Sequence, residues 1–327
     1  MNVRRAQPAL SIAAGCLIAL VGLLRATPQL GRSPAAGLGS ISIDAVPVPL
    51  NPQDPSATVI GDFRYAGGLV LSSRQTTLMH ELSDIVLTGP DRFAAVGDGG
   101  VLLEARLVLD GSGQLVGVTD GILSRLVGEK GKPVTGGDAD AEGLALLPSG
   151  DRLVSFERHH RIWLYPSDGG LPRPVPWPRA RFPSNLGMEA LTAAPDLGAD
   201  AYMVGAEGSG ETWTCRISAE CTRGPTIAKP KEFGLVSMNR VSEGVTAYLL
   251  RAYDPVRHSR ITFEILRETT VIARMDLAPP MTVDNFEGIA SVAGADGRRR
   301  FYLVSDDNNR PTQRTLLFAF DWQPRER

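Results

Sequence analysis

The chain has 327 residues, of which 43% are hydrophobic, and it contains 35 glycines and 24 prolines. This composition can supply a sizeable core and implies many turns, so it favours an all-β fold over one built from long helices. With 34 basic and 36 acidic residues the formal charge is −2, and aromatic residues make up only 6%. These values argue against a nucleic-acid-binding face, so we expect a small-molecule substrate bound at a local site of a monomer.

Residues 1–33 are predicted to be an export segment. Arg4 and Arg5 form a positively charged start, and residues 9–24 form an uncharged, mostly apolar run that Arg25 ends. The run is slightly long for a cleaved signal peptide and slightly short for a spanning helix, which needs about 20 residues. A cleaved signal peptide and a membrane anchor at residues 9–24 therefore both remain open. In either case we expect the rest of the chain to be periplasmic or secreted.

Residues 34–55 are predicted to be a linker, because they are rich in Pro, Gly, Ala and Ser without a sustained period. Residues 56–327 are predicted to form the folded domain. Short runs of Val, Leu, Ile, Phe and Tyr alternate there with turn-forming residues, as in strands joined by tight turns. Cys215 and Cys221 lie six residues apart in this domain. Their spacing favours a disulfide across a hairpin, and a metal site is the weaker interpretation because no histidine lies near them.

One short pattern recurs along the domain: a glutamate, a small residue, an aliphatic residue and two further small or aliphatic residues. It occurs at residues 142–146, 189–193, 243–247 and 287–291, with a degenerate copy around Asp84. Recurrence at about 40 to 50 residues, with about four strands in each repeat, is typical of β-propeller blades. Dividing the domain by about 45 residues per blade predicts six blades, with five or seven as alternatives.

The repeated glutamates are the part of this pattern that packing does not explain. Small residues are expected there because the innermost strands crowd around the propeller axis. Several carboxylates directed at one channel mouth repel one another unless something neutralises them. A divalent cation would neutralise these carboxylates. Because all the candidate ligands are oxygen atoms, we expect the cation to be calcium. The alternative is that each glutamate accepts backbone hydrogen bonds in its own blade or pairs with an arginine.

Two further segments carry candidate site residues. Residues 305–309 (SDDNN) follow an apolar strand and offer oxygen ligands for calcium, or else form a turn stabilised by Asp and Asn side chains. Residues 156–161 (FERHHR) join two predicted strands. They could present a general acid or base, or be an exposed hairpin tip. No Gly-x-Ser-x-Gly motif is present, so a metal-activated water is a more coherent nucleophile than a serine.

Taken in chain order, these segments resemble the phytase-like domain family, also named esterase-like activity of phytase. The resemblance rests on residues 140–145 (DAEGLA), 185–191 (NLGMEAL), 285–290 (NFEGIA) and 301–308 (FYLVSDDN), and it covers about residues 60–322. It implies an exported β-propeller with a hydrolase activity. Residues 96–100 (VGDGG) depart from the family, which usually has a Ser-Asp-Arg-Gly-like turn, so only Asp98 carries over there.

Three functions remain as hypotheses. The first is a metal-dependent hydrolase of phosphoesters or esters. Its candidate catalytic residues are Glu142, Glu189, Glu287, Glu157 and His159, and its candidate cation ligands are Glu142, Glu189, Glu287, Asp306, Asp307, Asn308 and Asp98. The second is a non-catalytic propeller of the cell envelope that binds a ligand or protein partner. The third is a lactonase-type propeller with one channel cation, for which Asn185, Asn285 and Asn308 are available.

Overall fold

The structure is a computed structural model, and it describes Met1 and residues 36–294 and 296–324. The predicted export segment after Met1, including the possible anchor at residues 9–24, lies outside the described residues. Within them no helix is long and apolar enough to cross a membrane. The described residues form 23 strands and two short 3₁₀-helices, Gly136–Asp138 and Pro195–Leu197. The prediction of an all-β fold is confirmed.

The strands form five antiparallel sheets, which are the blades of a propeller. Four strands precede the first blade: β1 (Ala36–Ile41), β2 (Asp44–Pro47), β3 (Val59–Ile60) and β4 (Phe63–Ser72). Blade 1 consists of β5 (Leu82–Leu87), β6 (Arg92–Gly97), β7 (Val101–Leu109) and β8 (Leu115–Arg125). Blade 2 consists of β9 (Ala141–Leu146), β10 (Arg152–Phe156), β11 (Arg161–Tyr165) and β12 (Arg173–Pro174).

The remaining blades repeat this arrangement. Blade 3 consists of β13 (Ala190–Ala193), β14 (Ala201–Gly205), β15 (Glu211–Arg216) and β16 (Ala219–Thr226). Blade 4 consists of β17 (Gly234–Ser242), β18 (Val245–Asp254), β19 (His258–Arg267) and β20 (Thr270–Leu277). Blade 5 contains β21 (Asn285–Ala293), β22 (Arg299–Asp306) and β23 (Thr315–Trp322). In each blade the first of these strands is innermost, and the five inner strands contact one another in a closed ring.

The N-terminal strands close this ring. Strand β4 pairs with β23 and supplies the fourth strand of blade 5, and β2 pairs with β4 at its outer side. Strand β1 pairs with β8 and extends blade 1. Residues 36–47, inside the predicted linker, are therefore built into the two blades at which the ring closes. The propeller begins before the expected boundary at residue 56.

The propeller has five blades, so the prediction of six was wrong. The inner strands begin at intervals of 59, 49, 44 and 51 residues. These intervals are longer on average than the period of about 45 residues used for the prediction. In addition, β4 belongs to the last blade rather than to a blade of its own. Blades longer than expected, and a last blade that takes its fourth strand from β4, both reduce the number of blades.

The hydrophobic core is divided among the interfaces between neighbouring blades. The described residues form five buried clusters, one at each interface. Because side chains alternate along a strand, one strand serves two clusters. In β22, Phe301 and Leu303 pack against blade 4, whereas Tyr302 and Val304 pack against blade 1. Both faces of β22 are buried there, which explains its continuous apolar run, whereas outer strands such as β16 and β20 are partly exposed and carry polar residues.

Crowding near the axis explains the small residues of the repeated pattern. A Cβ atom added at Gly143 would lie 2.5 Å from the Ser155 Oγ and 2.6 Å from the Glu189 carbonyl oxygen. At Gly288 it would lie 2.7 Å from the Cα atom of Asp84. This part of the prediction is confirmed.

Asp84, on the inner strand of blade 1, ties several blades together at the axis. Its Oδ2 accepts a hydrogen bond from the Leu144 N–H of blade 2 at 2.8 Å. Its Oδ1 accepts one from the Ser237 hydroxyl of blade 4 at 3.0 Å, and that hydroxyl accepts one from the Ile289 N–H of blade 5 at 3.2 Å. Burial raises the pKa of Asp84 well above its ordinary range. Asp84 is thus satisfied within the protein, but by bonds from other blades rather than from its own blade as the alternative for the repeated carboxylates supposed.

Candidate functional site

Charged residues gather at one mouth of the channel, where the inner strands begin and the second strands end. An antiparallel hairpin brings these two ends together in every blade. The inner strands supply Glu142, Glu189 and Glu287, each at or immediately before the start of its strand. The ends of the second strands supply Asp98, Glu157, Glu207, Arg251 and Asp306.

A β-bulge gives two of the glutamates their special position. The ladder between β9 and β10 shifts register so that Glu142 is the extra residue, and the ladder between β21 and β22 does the same at Glu287. A bulged residue is unpaired in the ladder and leaves the regular alternation of the strand. The equivalent positions are Ser83 in blade 1 and Val236 in blade 4.

Glu243 does not belong to this mouth, although it shares the repeated pattern. It is exposed in the turn between β17 and β18, at the end of the inner strand opposite to Gly234, which pairs with Arg251. Gly244 has a φ of 65° and serves the turn. The fourth inner strand contributes no carboxylate, and the pattern at residues 243–247 marks a hairpin turn.

Two groups of three carboxylates have oxygen atoms close enough together to hold one cation each. One oxygen from each of Asp98, Asp140 and Glu142 lies within 4.8 Å of the others, and the same is true of Glu157, Glu189 and Glu207. In the first group the Ser83 hydroxyl donates a hydrogen bond to Asp98 at 2.5 Å, and Arg158 lies 2.5 Å from Asp140. In the second group the Gly187 N–H donates to Glu157 at 2.8 Å.

Arg251 neutralises the side of the mouth formed by blades 3 to 5. Its guanidinium donates to Glu287, to the Asn285 Oδ1 at 2.6 Å and to Glu207 at 3.3 Å. The Asn285 amide donates in turn to Glu287 at 2.8 Å and to Asp306 at 3.0 Å. Although burial opposes its charge, the neighbouring carboxylates, Glu287 above all, raise the pKa of Arg251.

Burial, reinforced by neighbouring charges, raises the pKa of most of these carboxyl groups. The pKa of Asp98 is raised to about 8, with the charge of Asp306 as the second cause. Burial raises the pKa of Glu157 to about 7 and that of Asp306 to about 6. Burial and then neighbouring carboxylates raise the pKa values well above the ordinary range at Glu142 and Glu189. Burial does the same at Glu287, against the opposing effect of Arg251.

The structure places three predicted site residues outside this group of side chains. His159 is exposed, and its Nδ1 lies 2.7 Å from Asp138. Asp307 accepts hydrogen bonds from the Glu81 N–H at 3.1 Å and the Thr315 hydroxyl at 2.8 Å, so it shapes its own loop. Asn308 is exposed, and its backbone N–H donates to Asp306 at 2.5 Å. Asn185, considered for a lactonase site, is exposed as well.

Sequence reasoning missed three residues of the mouth: Asp140, Glu207 and Arg251. A signal for the last two was available. In blades 1, 2, 3 and 5 a carboxylate stands at the end of the second strand or within two residues after it, and in blade 4 Arg251 lies three residues before the end of β18. Asp98, Glu157 and Asp306 were predicted from three separate segments, and only their shared position after or at the end of a second strand shows that they belong to one ring.

A cavity of about 800 Å³ lies beside the mouth, between blades 4 and 5. It shares Glu207, Arg251 and Asn285 with the ion-paired side of the mouth. The cavity and the carboxylate groups therefore form one continuous site.

The cysteine prediction is confirmed: Cys215 on β15 and Cys221 on β16 form a disulfide across their hairpin. These strands are the two outer ones of blade 3, so the disulfide lies away from the mouth.

Solved structures with a related fold share little sequence with this chain. A protein described provisionally as a gluconolactonase is 13% identical with a TM-score of 0.47, covering 90% of this chain and 93% of that one. The allergen Mala s 1 of Malassezia sympodialis is 13% identical with a TM-score of 0.44, covering 85% and 96%. A streptogramin B lyase is 8% identical with a TM-score of 0.41, covering 88% and 89%. Likenesses this distant do not bear on function.

The sequence itself matches a known family. Comparison with curated proteins finds no match. The profile of the phytase-like family, described as esterase-like activity of phytase, matches residues 77–309. These residues cover blades 1 to 4 and the two inner strands of blade 5, and they include the carboxylates of the mouth. Because the match covers more than two thirds of the chain, this five-bladed propeller belongs to the phytase-like family.

Proposed function

We propose that this protein is an exported, monomeric, metal-dependent hydrolase that cleaves small phosphoester or ester substrates at the mouth of its propeller. One observation carries the proposal: among the residues that the structure describes, eight carboxylates gather at the mouth with only two arginines, Arg158 and Arg251. The carboxylates are Asp98, Asp140, Glu142, Glu157, Glu189, Glu207, Glu287 and Asp306. Membership of a family described by esterase-like activity supports the reaction class.

The donor set fits a hard divalent cation such as calcium. Calcium takes six to eight oxygen ligands, whereas zinc and copper favour nitrogen or sulfur. Both three-residue groups consist of carboxylates alone. Each group has an arginine beside one carboxylate, Arg158 at Asp140 and Arg251 at Glu207. We place the cation at Asp98, Asp140 and Glu142 because the exposed Arg158 can turn toward solvent, whereas Arg251 is held inside the mouth. Without a cation, a pKa of about 8 at Asp98 and about 7 at Glu157 means that Asp98 binds a proton at neutral pH and Glu157 does so in part.

The residues of the chain would act around such a cation. A bound divalent cation polarises a phosphoryl or carbonyl oxygen and lowers the pKa of water. Glu157, with a pKa of about 7, can accept a proton from the attacking water near neutral pH and return it to the leaving group. The Gly187 N–H fixes one of its oxygens. Arg251 would balance negative charge as it develops at the floor of the cavity.

A substrate panel with controlled metal content tests the proposal. Purified protein is assayed with 4-nitrophenyl phosphate, short-chain 4-nitrophenyl esters and a simple lactone, first after chelation and then with added calcium. We expect hydrolysis of at least one substrate only with the cation, and we expect Glu142→Gln to lower the calcium content measured by elemental analysis. Hydrolysis that survives both chelation and Glu142→Gln would contradict the mechanism.

One observation favours a second candidate, a non-catalytic propeller that binds a ligand or partner. The Arg251 network and Asp84 show that some mouth and axis carboxylates are satisfied entirely within the protein. If the remaining carboxylates are also structural, the panel will yield no activity and calcium will not shift the thermal midpoint.

A further inference from the structure

The cavity between blades 4 and 5 exists because these blades carry larger loops at the mouth. In blades 1 to 3 the second and third strands are joined by residues 98–100, 157–160 and 206–210. In blade 5 the same connection spans residues 307–314, and in blade 4 the hairpin of β18 and β19 continues beyond Arg251 to a tip at residues 255–257. Together with residues 278–284, these loops wall the cavity.

The acidic groups that line the cavity already have partners. Glu207 is paired with Arg251 at 3.3 Å, and Asp284 accepts a hydrogen bond from Arg314 at 3.2 Å. Glu232 lies 3.8 Å from Arg260. The negative charges of the wall are thereby largely balanced within the protein.

Arg310 is different. Its side chain lines the cavity from an exposed loop, and no described residue forms an ion pair or hydrogen bond with its guanidinium. A guanidinium offers five donors in a planar fork that matches carboxylate and phosphate oxygens. A ligand oxyanion would therefore meet a charged group that has no competing internal partner.

Most of the rest of the lining is polar, although Ala252, Pro279 and Val283 also line the cavity. Thr312 and Gln313 line the cavity, and Tyr253 stands at it with 61% of its surface exposed. Asn308 and His258 have φ angles of 48° and 58°. Asn308 lies in a turn and His258 directly follows one, and Asn and His adopt this conformation more readily than most residues. This lining fits a small polar molecule better than an apolar one.

We infer that this cavity binds the oxyanionic group of the substrate, a phosphate or a carboxylate, and that Arg310 is the specificity-determining contact. The inference rests on the proposed hydrolase function and extends it to the substrate. Because the cavity shares Glu207, Arg251 and Asn285 with the mouth, a small ligand held by Arg310 would reach the mouth at these residues. The substrate class is then a small ester that carries a second, uncleaved anionic group.

Binding of non-hydrolysable anions tests this directly. Methylphosphonate and acetate are titrated by calorimetry into the calcium-supplemented full chain, into Arg310→Gln and into a matched control, Arg64→Gln. Arg64 is an exposed arginine on β4 that lines a separate surface depression. We expect one anion to bind the wild type, Arg310→Gln to bind it at least about tenfold more weakly, and Arg64→Gln to match the wild type. Preference for methylphosphonate identifies a phosphate group, and preference for acetate a carboxylate.

The outcomes separate this inference from the proposed function. Equal affinity in Arg310→Gln and wild type, an equal loss in Arg64→Gln, or no binding of either anion overturns the inference. If the wild type binds an anion through Arg310 but cleaves nothing in the panel, the hydrolase proposal fails and the anion site stands. If calcium-dependent hydrolysis is present and Arg310→Gln leaves KM unchanged for an anionic ester, the hydrolase stands and the anion site fails.

Discussion

Blades 1 to 3 and blades 4 and 5 use the same hairpin to bring different chemistry to the channel mouth. In the first three, the second strand leads into Asp98, Glu157 and Glu207, and a short turn follows. In blade 4 the corresponding residue is Arg251, and the loops of blades 4 and 5 are large enough to enclose a cavity. Each blade brings the end of its second strand to the mouth, and the type of residue at that end decides which charge the blade contributes there. Blade 5 also brings carboxylates, Glu287 and Asp306, so blades 4 and 5 differ from the first three in Arg251 and in the cavity that their loops enclose.

The largest expected effect tests the carboxylate side. Glu157→Gln keeps an oxygen that can accept the Gly187 N–H bond but removes the proton acceptor, so we expect kcat to fall about 10²- to 10⁴-fold. The measurement is steady-state hydrolysis of the best substrate of the panel. Glu243→Gln is the matched control, because Glu243 is exposed in a turn away from the mouth, and it should retain wild-type activity. An active Glu157→Gln variant would assign the proton transfer elsewhere.

The next effect tests the ion-paired side. Arg251→Met removes a buried cation and leaves Glu287 and Glu207 without their partner, which should reduce the free energy of unfolding by about 3–5 kcal/mol. Chemical denaturation at pH 7 measures it. Arg298→Met, which breaks an exposed pair with Asp296, should cost about 1 kcal/mol or less. If the two substitutions reduced the free energy of unfolding equally, the Arg251 network would contribute no more than an exposed ion pair.

Stability should depend on pH in a way that calcium abolishes. The pKa values of Asp98, Glu157 and Asp306 are raised to about 8, 7 and 6. The folded protein therefore holds more protons than the unfolded chain between about pH 4 and pH 8. Their stabilising contribution is complete below about pH 4 and is lost as pH rises through these values.

Thermal midpoints measured from pH 5 to pH 8 test this dependence. The chelated protein should become less stable as pH rises, and calcium at 100 times its dissociation constant should restore about 2.7 kcal/mol at pH 8. Asp98→Asn should flatten the slope of the chelated protein. If the dependence of stability on pH is the same with and without calcium, these carboxylates do not bind a cation.

The smallest effect concerns the outer edge of blade 3. Reducing the disulfide between Cys215 and Cys221 opens a short loop, so we expect a loss of about 2 kcal/mol in unfolding free energy and no change in activity. Denaturation with and without reductant measures the change in unfolding free energy, and the substrate assay measures the activity. The double variant Cys215→Ala/Cys221→Ala should not respond to reductant. A loss of activity on reduction would mean that the outer strands of blade 3 influence the mouth.

Local pattern predicted much of this propeller, and its errors have particular causes. The strands, the hairpin disulfide, and the placement of Glu142, Glu189 and Glu287 at one mouth follow from turn chemistry and from the period of the repeat. Residues 243–247 share the pattern although they do not lie at the mouth. Gly244 is needed there for a tight turn, whereas Gly143 and Gly288 are needed because the axis is crowded. The blade number was wrong because β4, distant in sequence, completes blade 5.

The sequence alone determined that this protein is a propeller of hairpin repeats with carboxylates near the axis, because strand period and turn residues act over a few positions. Only the tertiary structure decided which carboxylates share an oxygen-rich group and which pair with Arg251. It also decided that Asp84 is a structural tie and that a cavity opens between blades 4 and 5. These outcomes depend on how the ring closes and on bulges that shift single residues. Contacts between blades about 50 residues apart are set by packing around the axis, which no short segment encodes.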